Sequence, residues 1–175
     1  ITGEDALDLL NRLTTNKLDS VPSGHALTTV LTNGDARVID VLKLGAVDDG
    51  IWCITSPGRA HVVTQWLDLY TFGEDISVED LSSETTHVVV VGPKAGTTLT
   101  AAGLDRPEPD SVTSDGGTVV IAQQFGTYQA YDVLCRTDRR ELVVPELERQ
   151  AIEADPEVLN AYRIAQGVPA YGTEF

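Results

Sequence analysis

Few side chains in this sequence are placed to do chemistry, and one of them is oddly placed. Asp40 lies within Asp35-Ala-Arg-Val-Ile-Asp-Val-Leu-Lys-Leu44, a stretch that reads as a β-strand. Side chains alternate faces along a strand. Val38, Leu42 and Leu44 therefore share a face with Asp40, while Arg37, Val41 and Lys43 take the other. A carboxylate on an apolar face is costly unless it is paired or hydrogen-bonded. Alternation alone is compatible with two roles. One is an edge position that reaches water or a local Arg. The other is a pocket acid that grips a polar ligand. Arg163 is the second candidate. In a helix, Val158, Ala161, Tyr162 and Ala165 share one face, and Arg163 flanks it beside Asn160 and Gln166. A helical Arg is ordinarily a solvated charge, but this polar cluster runs straight into Gly167-Val-Pro-Ala-Tyr-Gly172.

The remaining reactive residues offer less. His25, His61 and His87 are far apart and share no metal-ligand spacing, so each reads as structural or solvent-facing. Cys53 and Cys135 lie in apolar strand-like runs and read as small buried hydrophobes. With no C-x-x-C they suggest no metal site, and free thiols suit a reducing, cytoplasmic compartment. Gly92-Pro-Lys-Ala-Gly96 lacks P-loop spacing and reads as a turn, and G-x-S-x-G, H-E-x-x-H and G-x-G-x-x-G are absent. The 175 residues carry 27 acids against 12 Lys and Arg, a net charge of −15. That field repels phosphate backbones and argues against general nucleic-acid binding. No apolar run approaches the roughly 18 residues of a membrane span, and no signal peptide is visible. A start at Ile1 and the absence of Met suggest a piece of a longer protein.

The elements that must position Asp40 and Arg163 follow from local pattern. Thr2 reads as the N-cap of a helix whose stripe is Ala6, Leu9, Leu10 and Leu13. Leu27–Thr32 reads as a strand, and Asn33-Gly34 as a two-residue hairpin turn into the Asp40 strand. Asp48-Asp-Gly50 turns the chain again into Ile51–Ile54. Ser56-Pro57 reads as N-cap and first residue of a second helix carrying Val63, Trp66, Leu67 and Tyr70. A short strand at Ile76–Val78 completes an α-β-β-β-α-β half, residues 1–82. In the second half, residues 83–175, strands are expected at Thr86–Gly92, Thr118–Ala122 and Tyr128–Cys135. Helices are expected at Pro93–Ala102, from Pro145, and after Asp155-Pro156 as far as Gly167. The stretch Gly103–Gly117 reads as a loop. The class is α+β, with antiparallel sheets and flanking helices in two closely packed subdomains.

Taken together, several landmarks resemble the glycine-cleavage T-protein (aminomethyltransferase) superfamily. They are Ile1-Thr-Gly-Glu-Asp-Ala6, Leu13-Thr-Thr-Asn16, Leu31-Thr-Asn-Gly34 with Arg37-Val-Ile-Asp40, Gly92-Pro-Lys-Ala95, and Arg163-Ile-Ala-Gln-Gly-Val-Pro-Ala-Tyr-Gly-Thr-Glu174. The resemblance implies a tetrahydrofolate-binding fold whose α+β layers precede a C-terminal β-barrel, here lying beyond residue 175. It implies Asp40 as the folate-contacting, catalytically important acid, with Ile54, Ser56, Tyr128 and Arg163 as further cofactor contacts.

Two branches of the superfamily fit differently. Aminomethyltransferases usually carry two adjacent acids where this chain has Asp40-Val41, and a Tyr-Thr-Gly-Glu near Gly126-Thr-Tyr128, with Tyr128 at or near the place of the Glu. Both departures lean towards the YgfZ-type branch, folate-dependent proteins tied to iron–sulfur cluster assembly or repair and to tRNA modification. That branch's Lys-Gly-Cys-Tyr-x-Gly-Gln-Glu segment would lie just past residue 175. The resemblance thus implies a folate ligand and iron–sulfur protein clients. The alternatives are aminomethyl transfer, as a folate-dependent transferase, with a lipoyl-carrying partner, and a folate-free scaffold of the same fold.

Overall fold

The strand-like stretches become two antiparallel sheets. In the computed structural model, which describes residues 1–174, the chain divides into two compact units. One comprises Ile1–Ser83 and the chain from Ala170 onward, and the other is Glu84–Pro169.

The first unit holds α1 (Ala6–Leu13), β1 (Ala26–Thr32), β2 (Val38–Val47), β3 (Gly50–Ile54) and α2 (Ala60–Leu69), with the strands ordered β1-β2-β3. Its core is made by Leu9 and Leu10 of α1, Leu31, Leu42, Leu44, Ile51, and Val63 and Leu67 of α2. Each such side chain contributes about 1.5–3 kcal/mol on full burial. The expected helix stripes are the buried ones. The helix starts are not as expected. The first helix begins at Ala6, because Thr2 pairs with Ser77 in an isolated bridge and Asp5 accepts the Asp75 N–H. That bridge is also all that forms of the expected strand at Ile76–Val78. The second helix begins at Ala60, because Ser56-Pro57-Gly58-Arg59 closes a turn first. Gly58 sits at φ +73°, and the Arg59 N–H donates to the Ser56 carbonyl at 3.0 Å. Pro then Gly with positive φ is the signature of such a turn.

The β1–β2 hairpin forms, but through a five-residue loop, Asn33 to Arg37. The Asn33 side chain accepts the N–H groups of Asp35 (3.0 Å) and Arg37 (2.9 Å). The left-handed residue is Ala36, at φ +58°, not Gly34. Asn33 thus acts through its side-chain oxygen, a competing use of the same residue type. The strand pairing slips between Leu31 and Thr32, so that Thr32 faces Val38 and Ile39 is the extra residue of a bulge. The bulge packs Ile39 against the core.

The second unit holds β4 (Thr85–Val91), α3 (Ala95–Ala101), β5 (Ser111–Asp115), β6 (Thr118–Phe125), β7 (Tyr128–Arg136), a 3₁₀ turn (Thr137–Arg139), α4 (Arg140–Gln150) and α5 (Pro156–Ala165). Strand order is β4-β7-β6-β5, antiparallel throughout. Val120, Ala122, Tyr131, Val133 and Cys135 meet Leu99, Val143 and Leu147 in its core. The stretch read as loop contains β5, whose Ser, Thr and Asp are turn formers in isolation. Gly116-Gly117, at φ +52° and +80°, makes the tight two-residue hairpin that pairs Asp115 with Thr118. Pro145 stands inside α4 instead of opening it. Asp155 caps α5 as expected, accepting the Glu157 N–H at 2.8 Å. On α5, however, Val158 is exposed and Arg163 is the buried residue.

Among the described residues, no helix is long and apolar enough to cross a membrane, and no group of His, Cys, Asp and Glu could hold a metal ion.

Candidate functional site

Asp40 is the residue around which a site can be built. Strand alternation puts it with Leu42 and Leu44, opposite Leu31 across the β1–β2 pair, and all its surface is buried (0% exposed). Among the described residues no salt bridge pairs with it. Two backbone amides hold it instead. The Val41 N–H donates to Oδ1 at 2.8 Å, and the Ser56 N–H donates to Oδ2 at 3.1 Å. An ionised carboxylate offers about four acceptor positions. Two are filled from the protein, so the oxygen pair retains capacity for ligand N–H donors.

The positioning comes from where β3 stops. Its last residue, Ile54, pairs with Lys43, so the earlier residues of β2 have no strand on that side. The Ser56–Arg59 turn runs along this open edge and closes it with two bonds. One is Ser56 N–H to Asp40. The other is the Arg59 Nη2–H to the carbonyl of the bulge residue Ile39, at 2.8 Å. Ser56 therefore reaches Asp40 through its backbone, and it is not a helix cap. Ile54 shares the face of Lys43 and not that of Asp40, so the register keeps its side chain off the acid.

Sequence reasoning passed over Arg59. Its signal was the Pro-Gly turn just before it, which fixes where its side chain departs. Its guanidinium carbon stands 4.5 Å from the centroid of the Tyr171 ring, and its Nε–H is buried without an acceptor. Cys53 lies one strand away, paired with Leu44. Burial, joined by the negative charge of Asp40 and opposed by the N-terminal ammonium, pushes its thiol up to about 12. It is a neutral core group and no nucleophile.

Tyr128 and Arg163 belong to the second unit. Tyr128, 38% exposed, stacks on Tyr162 at 5.6 Å and 15°. Tyr162 also stacks on Phe125 at 5.8 Å and shares a hydrogen bond with Thr127. Arg163 is engaged within its own helix end: Nε and Nη2 donate to Asn160 Oδ1 at 3.1 and 2.8 Å, and Nη1 donates to the Val168 carbonyl at 2.8 Å. Asn160 was legible as a neighbour, and the Val168 carbonyl was not. A second buried acid, Asp132, went unremarked. Its Oδ1 is hydrogen-bonded to His87 Nε2 at 2.8 Å, and it is 0% exposed. The same alternation that marks Asp40 would have found it, because Ala130 and Leu134 share its face.

Known proteins supply the next observation. The GCVT N-terminal domain profile matches residues 1–109, more than half of the chain. The chain belongs to the GCVT N-terminal domain family. Asp40, Ile54, Ser56 and Arg59 fall inside the GCVT-matched segment, and Tyr128 and Arg163 fall beyond it. An aminomethyltransferase of Chlorobaculum parvum is 30% identical over 112 residues, which cover 61% of this chain and 31% of that protein. An aminomethyltransferase of Thermotoga neapolitana is 25% identical over 100 residues, 57% of this chain and 28% of that protein. The chain thus matches under a third of the length of these curated relatives. The crystal structure of glycine cleavage system aminomethyltransferase T from Bartonella henselae superposes with a TM-score of 0.68, at 17% identity, over 83% of this chain and 41% of that one. That likeness fixes the α+β GCVT fold.

Proposed function

We propose that this GCVT domain binds a reduced folate, tetrahydrofolate or a derivative, with Asp40 accepting hydrogen bonds from the pterin amino and ring N–H groups. The observation that carries the reading is the fully buried Asp40 carboxylate, held by two amides and with acceptor capacity left over. The donor and acceptor set fits the ligand: a planar ring edge with adjacent N–H donors matches a charged oxygen pair, and charge assistance strengthens both bonds. Leu31 and Leu42 supply the dry, apolar surround in which such bonds are strongest. A bound reduced folate supplies the capacity to carry a one-carbon unit. The chain's own part is to orient the pterin edge and exclude water from it.

Within the superfamily we favour the YgfZ-type role, support of iron–sulfur cluster assembly or repair and of tRNA modification in the cytoplasm, with iron–sulfur proteins as clients. Its support is the single acid at Asp40-Val41 and the Tyr128 that stands near a transferase Glu. Aminomethyl transfer is the second reading, favoured by the names of the relatives from Chlorobaculum parvum and Thermotoga neapolitana.

Calorimetric titration of tetrahydrofolate into the wild-type chain and Asp40→Asn tests the site. Saturable binding that weakens in the variant is expected. Equal affinities reject the role of Asp40. Restoration of iron–sulfur enzyme activity in cells lacking the gene, by wild type and not by Asp40→Asn, separates the YgfZ-type role from lipoyl-dependent aminomethyl transfer.

A further inference from the structure

We infer that the turn between β5 and β6, together with the start of α4, binds the phosphate group of a small molecule, with Arg139 and Thr118 as its contacts. Two unmet polar groups carry this. Thr118 Oγ1 is buried without a hydrogen-bond partner, on a residue only 6% exposed. The Arg139 Nε–H is buried without an acceptor, and no described carboxylate pairs with that guanidinium. Such groups are rare in folded proteins, and each calls for a missing partner. Both stand at one end of the second sheet. Thr118 pairs with Cys135 across β6 and β7, so the two side chains share the face that packs against α4. Burial pushes the Cys135 thiol up, and the Arg139 and Arg140 charges oppose that rise, so both guanidinium groups stand near Cys135.

The glycine pair explains how Arg139 comes to lie there. A Cβ on Gly116 would stand 2.5 Å from Arg139 Nη1. A Cβ on Gly117 would stand 3.3 Å from Arg136 Cδ and 3.6 Å from Arg139 Cδ. The bare backbone therefore lets both arginine stems cross the turn, and the Arg136 N–H donates to the Gly117 carbonyl at 3.2 Å. α4 opens at Arg140 without a side-chain cap, which adds the positive end of a helix dipole. Arg136 and Arg140 have acids beside them, Asp138 at 3.7 Å and Glu141 at 2.8 Å, but all four side chains are more than half exposed. Pairs of that kind are weak in solvent, so both arginines can turn to an arriving anion. The anion class follows from the donor set. A phosphate monoester has three free oxygens, enough for a guanidinium edge and a hydroxyl together, whereas a carboxylate spends its two on the guanidinium. The net charge of −15 repels an extended phosphate backbone, but a single phosphate meets mainly the local arginines. All these residues belong to the second unit, so the proposal is independent of the folate reading of Asp40.

Calorimetric titration of inorganic phosphate, glycerol phosphate and a short RNA oligonucleotide into the whole chain tests this, with ionic strength held constant by chloride. The proteins are wild type, Arg139→Gln, Arg139→Lys and Thr118→Val. Wild type is expected to bind both small phosphates saturably. Arg139→Gln should weaken them roughly 10- to 100-fold, the usual worth of a hydrogen bond to a charged group, and Arg139→Lys should recover part of the loss. Thr118→Val keeps the shape of the side chain and removes only the hydroxyl. It should weaken phosphate about 10-fold while its phosphate-free unfolding midpoint stays level or rises, because an unmet buried hydroxyl is gone. If Arg139→Gln does not fold, Arg139→Lys and Thr118→Val decide the matter. A wild type that fails to bind inorganic phosphate overturns the proposal. So does phosphate affinity left unaltered in the Arg139 variants. So does a Thr118→Val midpoint that falls with phosphate affinity intact, which would give the hydroxyl a purely structural role. RNA bound more tightly than glycerol phosphate, and lost in Arg139→Gln, overturns the small-molecule assignment in favour of nucleic acid.

Discussion

Asp40→Asn separates what this carboxylate does for the fold from what it does for a ligand. The folded chain holds it with two amide donors, at 2.8 and 3.1 Å. Asparagine keeps one acceptor oxygen and turns an NH₂ towards the other amide. One charge-assisted bond, worth about 1.5–3 kcal/mol, is lost, and the survivor falls to an ordinary bond of about 0.5–1.5 kcal/mol. Against this stands relief from burying an ion, which costs on the order of several kcal/mol in a real protein. The two nearly cancel, so the stability of the ligand-free chain should change by about 1 kcal/mol or less. No such compensation exists for a ligand, whose N–H donors meet the charge only when bound. Its affinity should fall by about 1.5–3 kcal/mol, roughly 10- to 150-fold in Kd. Urea unfolding, read for midpoint and slope, gives the first quantity, and calorimetric titration of tetrahydrofolate gives the second. A stability loss above about 3 kcal/mol with affinity unchanged would refute the reasoning, because Asp40 would then be only the bracket that closes the open edge of β2.

Two further expectations concern the same unit. Burial holds the Cys53 thiol at about 12, above the ordinary 9.0, so the unfolded chain sheds that proton first. Its contribution to stability is then complete below pH 9.0 and is lost as pH rises towards about 12. Cys53→Ala should flatten the alkaline decline seen in urea midpoints across that window, and an unchanged slope would count against a buried, neutral thiol. Ala36, at φ +58°, carries a left-handed cost of roughly 1–2 kcal/mol for a residue with a Cβ. Ala36→Gly recovers that strain and gives back about 0.5–1 kcal/mol in unfolded-state freedom, so the urea midpoint should stay level or rise, by up to about 1 kcal/mol. A clear fall would mean that the loop around Asn33 is not strained there.

How far the site could be read from sequence follows from the range of the signals. Period-two alternation is local, and it put Asp40 on the face of Leu42 and Leu44 without any coordinates. The stripes of α1 and α2 are equally local, since they need only the 3.6-residue period. Turn chemistry was less secure. Asn33-Gly34 carries the stronger short signal, yet Asn33 spends its side chain on two amides and the chain turns left-handed at Ala36. Gly116-Gly117 makes the tight hairpin, inside a stretch too polar to announce a strand.

The amino-acid order by itself determined the α+β class, the stripes that fill each core, and the strand face that Asp40 shares with Leu42 and Leu44. Tertiary structure alone decided what surrounds that carboxylate: the end of β3 at Ile54, the bulge at Ile39, the Ser56 amide 16 residues away, and Arg59 beneath a tyrosine from the far end of the chain. The reason is physical. A periodic pattern is set by neighbours within a few residues. A buried charge is satisfied by whichever amides the finished packing brings within about 3 Å, and those lie at sequence distances that no local period encodes.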